Sequence, residues 1–181
     1  TWAIGQRPDL KTIYSSFSKR LGVRANKKIQ RMMDSEKYKR VFPSARIDES
    51  QTSVIKDKKI RSSEFIEFAG QMEGSFRNTT VGGSVTGESL DLGVVDDPLR
   101  GRKDANSKLK RDTAWDWLMD DFFSRFSDMA ALLIIMTSWH IDDPARRFIE
   151  LFPETVIASY KAIATEDEEF RKEGEALFPE H

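Results

Sequence analysis

Two hydrophobic periods divide the front of this chain. Lys11 to Phe17 (Lys-Thr-Ile-Tyr-Ser-Ser-Phe) reads as a short strand, introduced by the turn signal Gln6-Arg7-Pro8-Asp9. From Ser18 the period lengthens. Leu21, Ala25, Ile29 and Met32 or Met33 recur at helical spacing, so a helix capped by Ser18 is expected to run to about Met33. Its opposite side carries Lys19, Arg20, Arg24, Lys27, Lys28 and Arg31. A second short helix, about Ser35 to Val41, ends before Phe42-Pro43.

Between Ser44 and Gly93 the pattern shortens. Ser53–Ile55, Glu64–Phe68, Ser75–Thr80 and Gly83–Val85 read as extended pieces separated by glycine turns, a short meander. Leu90 to Val95 is a strand-like apolar run ending in Asp96-Asp97-Pro98, and a charged loop follows to Lys110. The next helix, about Asp112 to Phe126, places Trp115, Leu118, Met119, Phe122 and Phe126 on one side. Ala130 to Met136 is continuously apolar, as a central parallel strand covered on both faces would be. Asp143-Pro144 reads as an N-cap and N1 proline opening a helix to about Leu151. Thr155 to Tyr160 suggests one more strand, and Thr165 to Gly174 an acidic loop or helix.

This succession makes an α/β sheet the economical architecture. Ligands in such sheets bind beyond the carboxyl ends of the strands, where Ser15-Ser16, Asp96-Asp97 and Thr137-Ser138 fall.

The 181 residues fit one domain of ordinary size, and 39% hydrophobic content is enough for a core. No apolar run approaches the roughly 20 residues of a membrane helix; the longest is Met129 to Met136. There is no cysteine, hence no disulfide framework and no thiolate chemistry. Two histidines are too few for a His-rich metal centre. No stretch reads as a signal peptide, so an intracellular setting is the default. The first residue, Thr1, hints at a piece of something longer. Charge is unevenly spread: residues 1–111 carry 23 Lys+Arg against 14 Asp+Glu, residues 112–181 carry 6 against 16. The basic half could serve a polyanion, or the halves could neutralise each other within one domain.

Leu92-Gly93-Val94-Val95-Asp96-Asp97 has the form of a Walker-B element. A buried strand would hold the first carboxylate rigidly for Mg²⁺ on nucleotide phosphates, and the second could align or deprotonate a water. A strand entering an Asp-Pro turn has the same form. Thr137-Ser138 would put hydroxyls on a neighbouring tip, or simply cap a turn. For His140, Asp142 and Asp143, capping and loop hydrogen bonding is the preferred reading over a metal site. The cations of the first helix could track phosphates, or form a solvated face. Trp115, Trp117, Phe122, Phe123 and Phe126 read as core rather than as a stacking platform. No Gly-x-x-x-x-Gly-Lys-Ser/Thr is present, and no glycine precedes a lysine, so the phosphate-cradling loop is missing from these residues.

Several blocks, in order and spacing, resemble the ATPase domain of the large terminase subunit of tailed bacteriophages. They are Gly5–Asp9 into Ile13–Ser18, Gly83-Ser84-Val85-Thr86-Gly87, Asp91–Pro98, Trp115-Asp116-Trp117, Ile135–Asp143 and Gly174–Glu180. The resemblance implies a partial P-loop ATPase domain of the ASCE type, with a mostly parallel central sheet flanked by helices. It implies residues 1–163 as the part after the P-loop and 164–181 as a linker towards an absent nuclease domain. It implies an ATP-driven motor that pumps viral DNA into a procapsid in the host cytoplasm, inactive without its P-loop. ATP and Mg²⁺ would be the cofactors; double-stranded DNA, the small terminase subunit, the portal protein and a homo-oligomeric ring would be the partners. By resemblance Asp96 would hold Mg²⁺, Asp97 would be the catalytic acid, and Thr137 and Ser138 would form the coupling motif. The sequence departs from the family at Glu88 and Ser138, where relatives often carry Arg.

Two rivals remain open on sequence. One is a non-catalytic DNA-binding or assembly module using Arg20, Arg24, Lys27, Lys28 and Arg31. The other is a different ring or helicase ATPase sharing the acidic element.

Overall fold

A computed structural model describes residues 1–47, 62–69 and 74–178. The expected strand at Ser53–Ile55 lies outside them. The chain falls into two compact units, Thr1–Phe148 and Ile149–His181.

The first unit is built on a five-stranded sheet in the order β2-β3-β1-β4-β5. The strands are β1 (Lys11–Ser16), β2 (Phe65–Glu67), β3 (Ser75–Thr80), β4 (Leu90–Asp96) and β5 (Phe126–Ile135). All neighbours are parallel except β2 and β3; among the described residues, that pair and an isolated bridge between Ile47 and Phe68 are the antiparallel part of the expected meander. Gly83–Val85 is loop rather than strand; it follows a turn closed by Gly83 N–H donating to Thr80 O at 2.7 Å, in which Gly82 at φ 80° supplies the left-handed step.

Helices α1 (Trp2–Gln6), α2 (Lys19–Met33) and α3 (Glu36–Val41) precede β2. They share a core of Ile4, Met33, Tyr38, Ala45, Ile47, Ile66, Phe68 and Phe76. Helix α2 begins after Ser18 as expected, although the Ser18 hydroxyl makes no cap bond; Ser35 does cap α3 through Tyr38 N. The sheet-facing side of α2 includes Gly22 and Asn26, which periodicity did not select. A β-carbon on residue 22 would lie 2.9 Å from the Asn78 amide, so glycine lets the helix approach β3 closely. There Asn26 and Asn78 are buried against each other, and Gln30 Nε2 donates to Asn26 Oδ1 at 2.6 Å.

After β4 come α4 (Arg102–Ala105) and α5 (Lys108–Asp116). The expected single helix from Asp112 starts earlier, capped by Ser107, and loosens into a π-helical turn over Trp117–Phe122. The wider turn shifts the apolar side. Trp117, Leu118 and Phe122 become buried, while Trp115 and Met119 are half-buried. The rings of Trp117, Phe122, Phe126, Phe123 and Phe148 form a continuous contact chain, core as read from the sequence.

Strand β5 overturns one expectation. It is an edge strand, not an interior one: among the described residues it pairs only with β4. Burial alternates along it, and Leu133 and Ile135 remain 50% and 48% exposed. A continuous apolar run is equally compatible with a strand whose second face has no described cover.

Helix α6 (Pro144–Leu151) opens as expected, with Arg146 N–H donating to Asp143 Oδ1 at 3.0 Å. The second unit holds an isolated bridge between Ile163 and Ala176. Thr155–Tyr160 forms no strand; Val156, Ile157 and Tyr160 are exposed. Residues 165–174 are loop and turn. No helix among the described residues is long and apolar enough to cross a membrane.

Candidate functional site

Three parallel strands end side by side. Residue pairing sets Ser16 against Asp96 and Asp96 against Ile135, so β1, β4 and β5 bring their carboxyl ends into one row. Beyond that row the chain is stitched together by backbone bonds. Asp97 N–H donates to Ile135 O at 2.8 Å, and Phe17 N–H donates to Asp97 O at 3.1 Å. The Thr137 backbone N–H faces the Asp97 carboxylate.

Asp97 is the one described non-glycine residue with positive φ, at 48°. Aspartate tolerates this left-handed conformation better than most residues, and such outliers concentrate where a side chain must be aimed. Burial, then the neighbouring Asp96 charge, raise its carboxyl above the ordinary aspartate value; the Thr137 N–H partly opposes them.

Asp96 has a partner that sequence reading did not single out. Tyr14 on β1 donates its hydroxyl to Asp96 Oδ2. Burial and the Asp96 charge push the phenol well above its usual pKa. The period of two puts residues 12, 14 and 16 on one face of β1. What hid Tyr14 was the register of β1 against β4, which no local pattern reveals.

Thr137 and Ser138 follow β5 after Met136 and are exposed. The Ser138 hydroxyl donates to Asp143 Oδ2 at 3.1 Å, so it is tied to the cap of α6. His140 Nδ1 accepts the Asp142 N–H at 3.0 Å, which leaves it a loop-ordering residue. Asp142 is paired by Arg147 at 2.7 Å and by the buried Arg111 at 3.0 Å. Arg111 and Arg147 were likewise not anticipated: Arg147 meets Asp142 five positions away, but the Arg111–Asp142 and Arg147–Asp112 pairs join residues 31 and 35 positions apart.

Among the described residues no group of three or more His, Cys, Asp or Glu could hold a metal unaided. Two adjacent carboxylates at the strand tips do fit Mg²⁺, which keeps several waters and takes few protein ligands when phosphates supply the rest.

The cations Arg20, Arg24, Lys27, Lys28 and Arg31 are all exposed on α2. Successive positions at 100° per residue place them within one face, opposite Gly22, Asn26 and Met33. None has an acidic partner within ion-pair distance among the described residues, whereas Lys19 pairs with Glu64 at 2.6 Å. Glu88, at the family's departure, binds Arg77 at 2.5 Å and lines a cleft of about 640 Å³ beside β3.

The fold is similar to the crystal structure of the HK97 bacteriophage large terminase, with TM-score 0.52 and 14% identity over 87% of this chain. The chain spans about 30% of the length of that protein. Among curated protein sequences, none matches the chain. The family profile described as terminase large subunit, T4likevirus-type, N-terminal, matches residues 45–181, more than half of the chain. The chain therefore belongs to that terminase large-subunit family.

Proposed function

We propose that this chain is the portion of a phage DNA-packaging ATPase that carries its acidic pair and its coupling hydroxyls. Asp96 would hold Mg²⁺ on the β- and γ-phosphates of ATP, and Asp97 would orient or deprotonate the attacking water. Thr137 and Ser138 would link the state of the nucleotide to movement, with residues 164–181 leading towards a nuclease domain. Double-stranded DNA, the small subunit, the portal and further copies in a ring are its expected partners, in the cytoplasm of the bacterial host.

The observation that carries the reading is the backbone bond from Asp97 N–H to Ile135 O, which holds the acidic tip beside Thr137. An assembly with these two tips on separate edges of the sheet would have no use for either pair. Because the sequence contains no glycine-rich loop with Lys-Ser/Thr, the 181 residues alone should hydrolyse ATP far below about 1 per second.

The test is a titration of ¹⁵N-labelled protein with Mn²⁺ and ATP. Broadening centred on the amides of Asp96, Asp97 and Thr137, removed by Asp96→Asn, supports the reading. Broadening confined to the acidic residues 166–175 refutes it.

A second reading, DNA attachment through α2, is favoured by five cations on one exposed face that have no ion-pair partner among the described residues. It is compatible with the first, since the helix starts three residues after the end of β1.

A further inference from the structure

The Tyr14–Asp96 contact has a geometry that few residue types could make. Residue 14 pairs with Val94, two positions before Asp96 on the adjacent strand. Two strand residues span about 6–7 Å, which is the reach of a phenol from its own backbone. A serine or threonine at 14 would fall short, and a phenylalanine would lack the final donor. The ring is itself held, tilted against Phe76 on β3 at 6.3 Å between centroids. Among the described residues no other donor reaches the Asp96 carboxylate. Pairing of β1 with β4 is already closed by five backbone register pairs, so the phenol is not needed to join the strands.

We propose that Tyr14 is the positioning residue for Asp96: its hydroxyl, delivered from the neighbouring strand, fixes Oδ2 and leaves Oδ1 for a cation. The proposal rests on the reading of Asp96 as the metal-holding acid. A carboxylate on a partly exposed strand tip otherwise samples several rotamers, and only some of them present an oxygen to the space beyond the strands. Restricting it to one before the metal arrives removes that ordering cost from binding. Tyr14 touches neither metal nor phosphate in this arrangement; it acts through Asp96.

Tyr14→Phe keeps the ring and its packing on Phe76 while deleting the donor. In the wild-type chain, three-bond couplings across the Asp96 Cα–Cβ bond should report a single rotamer. In Tyr14→Phe they should report averaging, with amide shifts of β3 and α2 unchanged. The Mn²⁺ concentration that half-broadens the amides of Asp96, Asp97 and Thr137 should rise about fivefold or more. A single rotamer retained in Tyr14→Phe, averaging already in the wild type, or a tip broadened at an unchanged or lower Mn²⁺ concentration would each overturn the proposal. If Mn²⁺ leaves the wild-type tip sharp, the metal reading fails by itself. The coupling comparison still decides whether Tyr14 orders Asp96.

Discussion

The ring of Phe122 occupies the place where a side chain at Gly93 would begin: a β-carbon there would lie 2.7 Å from Phe122 Cε1 and 2.8 Å from Phe126 Cζ. Glycine in the middle of β4 costs intrinsic strand stability, so its presence needs a packing reason, and the aromatic cluster supplies one. Gly93→Ala should therefore destabilise the protein by about 1–3 kcal/mol, the usual cost of overpacking a filled core. Urea unfolding measures it; an unchanged midpoint would mean that the rings move aside freely.

Asp97 should make the opposite trade. Its carboxyl titrates above the ordinary aspartate value in the folded state, so the native chain holds this proton more tightly than the unfolded one. Stability from this group is thus greatest below the ordinary value of about 4 and is lost as pH rises through the raised folded value. Asp97→Asn removes the penalised charge and suits the left-handed backbone equally well. The variant should melt slightly higher than wild type at pH 7, by no more than about 2 °C for a partly exposed site. The gain should vanish near pH 3. A variant less stable at neutral pH would show that Asp97 serves the fold rather than a site maintained at the expense of stability.

Much of this arrangement was legible in the sequence, and the failures have physical causes. Helix α2, its cap position and its basic side followed from spacing alone, because an amphipathic helix writes its own period. Strand β4 and the acids at its end were equally plain. What spacing could not supply was order within the sheet. Ala130–Met136 has the composition of an interior strand, yet among the described residues β5 lies at the edge, and Tyr14 meets Asp96 only through register. The π-helical turn that buries Trp117 escaped for a related reason: its indole N–H reaches Gly83 O at 2.9 Å, a contact 34 positions distant. Tertiary packing chose the register there against the local 3.6-residue pattern.

The cationic face of α2 yields a quantitative expectation. If Arg20, Arg24, Lys27 and Lys28 each neutralise one phosphate, the slope of log K against log salt for duplex DNA should steepen by about 0.9 per contact. Replacing the four with Gln should weaken binding at low salt and reduce that slope by about 3–4. Fluorescence anisotropy over a salt series reads both. Equal affinity and slope in the quadruple variant would assign these side chains to solvent alone.

The last expectation concerns the segment that follows Thr137 and Ser138. Arg147 first, then Arg111, hold the Asp142 carboxyl well below the usual carboxylate range, and Asp112 is lowered by Lys108 and Arg147. Each depressed group contributes stability that is complete above about pH 4 and is lost as pH falls through its own lower folded value. Acid should therefore weaken the link between α5 and α6, while stability at neutral pH keeps the full contribution of both groups. Arg111 is the member whose loss should be felt at every pH. It is 6% exposed, and it also donates to the Ala105 carbonyl at 2.6 Å. Arg111→Ala leaves that buried acceptor without its partner, for a cost of about 1–3 kcal/mol. Arg147→Gln should instead flatten the acid limb of the melting curve between about pH 4 and 2, since Asp142 and Asp112 then titrate nearer their ordinary values. Melting temperatures of the two variants from pH 2 to 8 separate the effects. An acid limb unaltered by Arg147→Gln would show that carboxylates elsewhere govern acid unfolding.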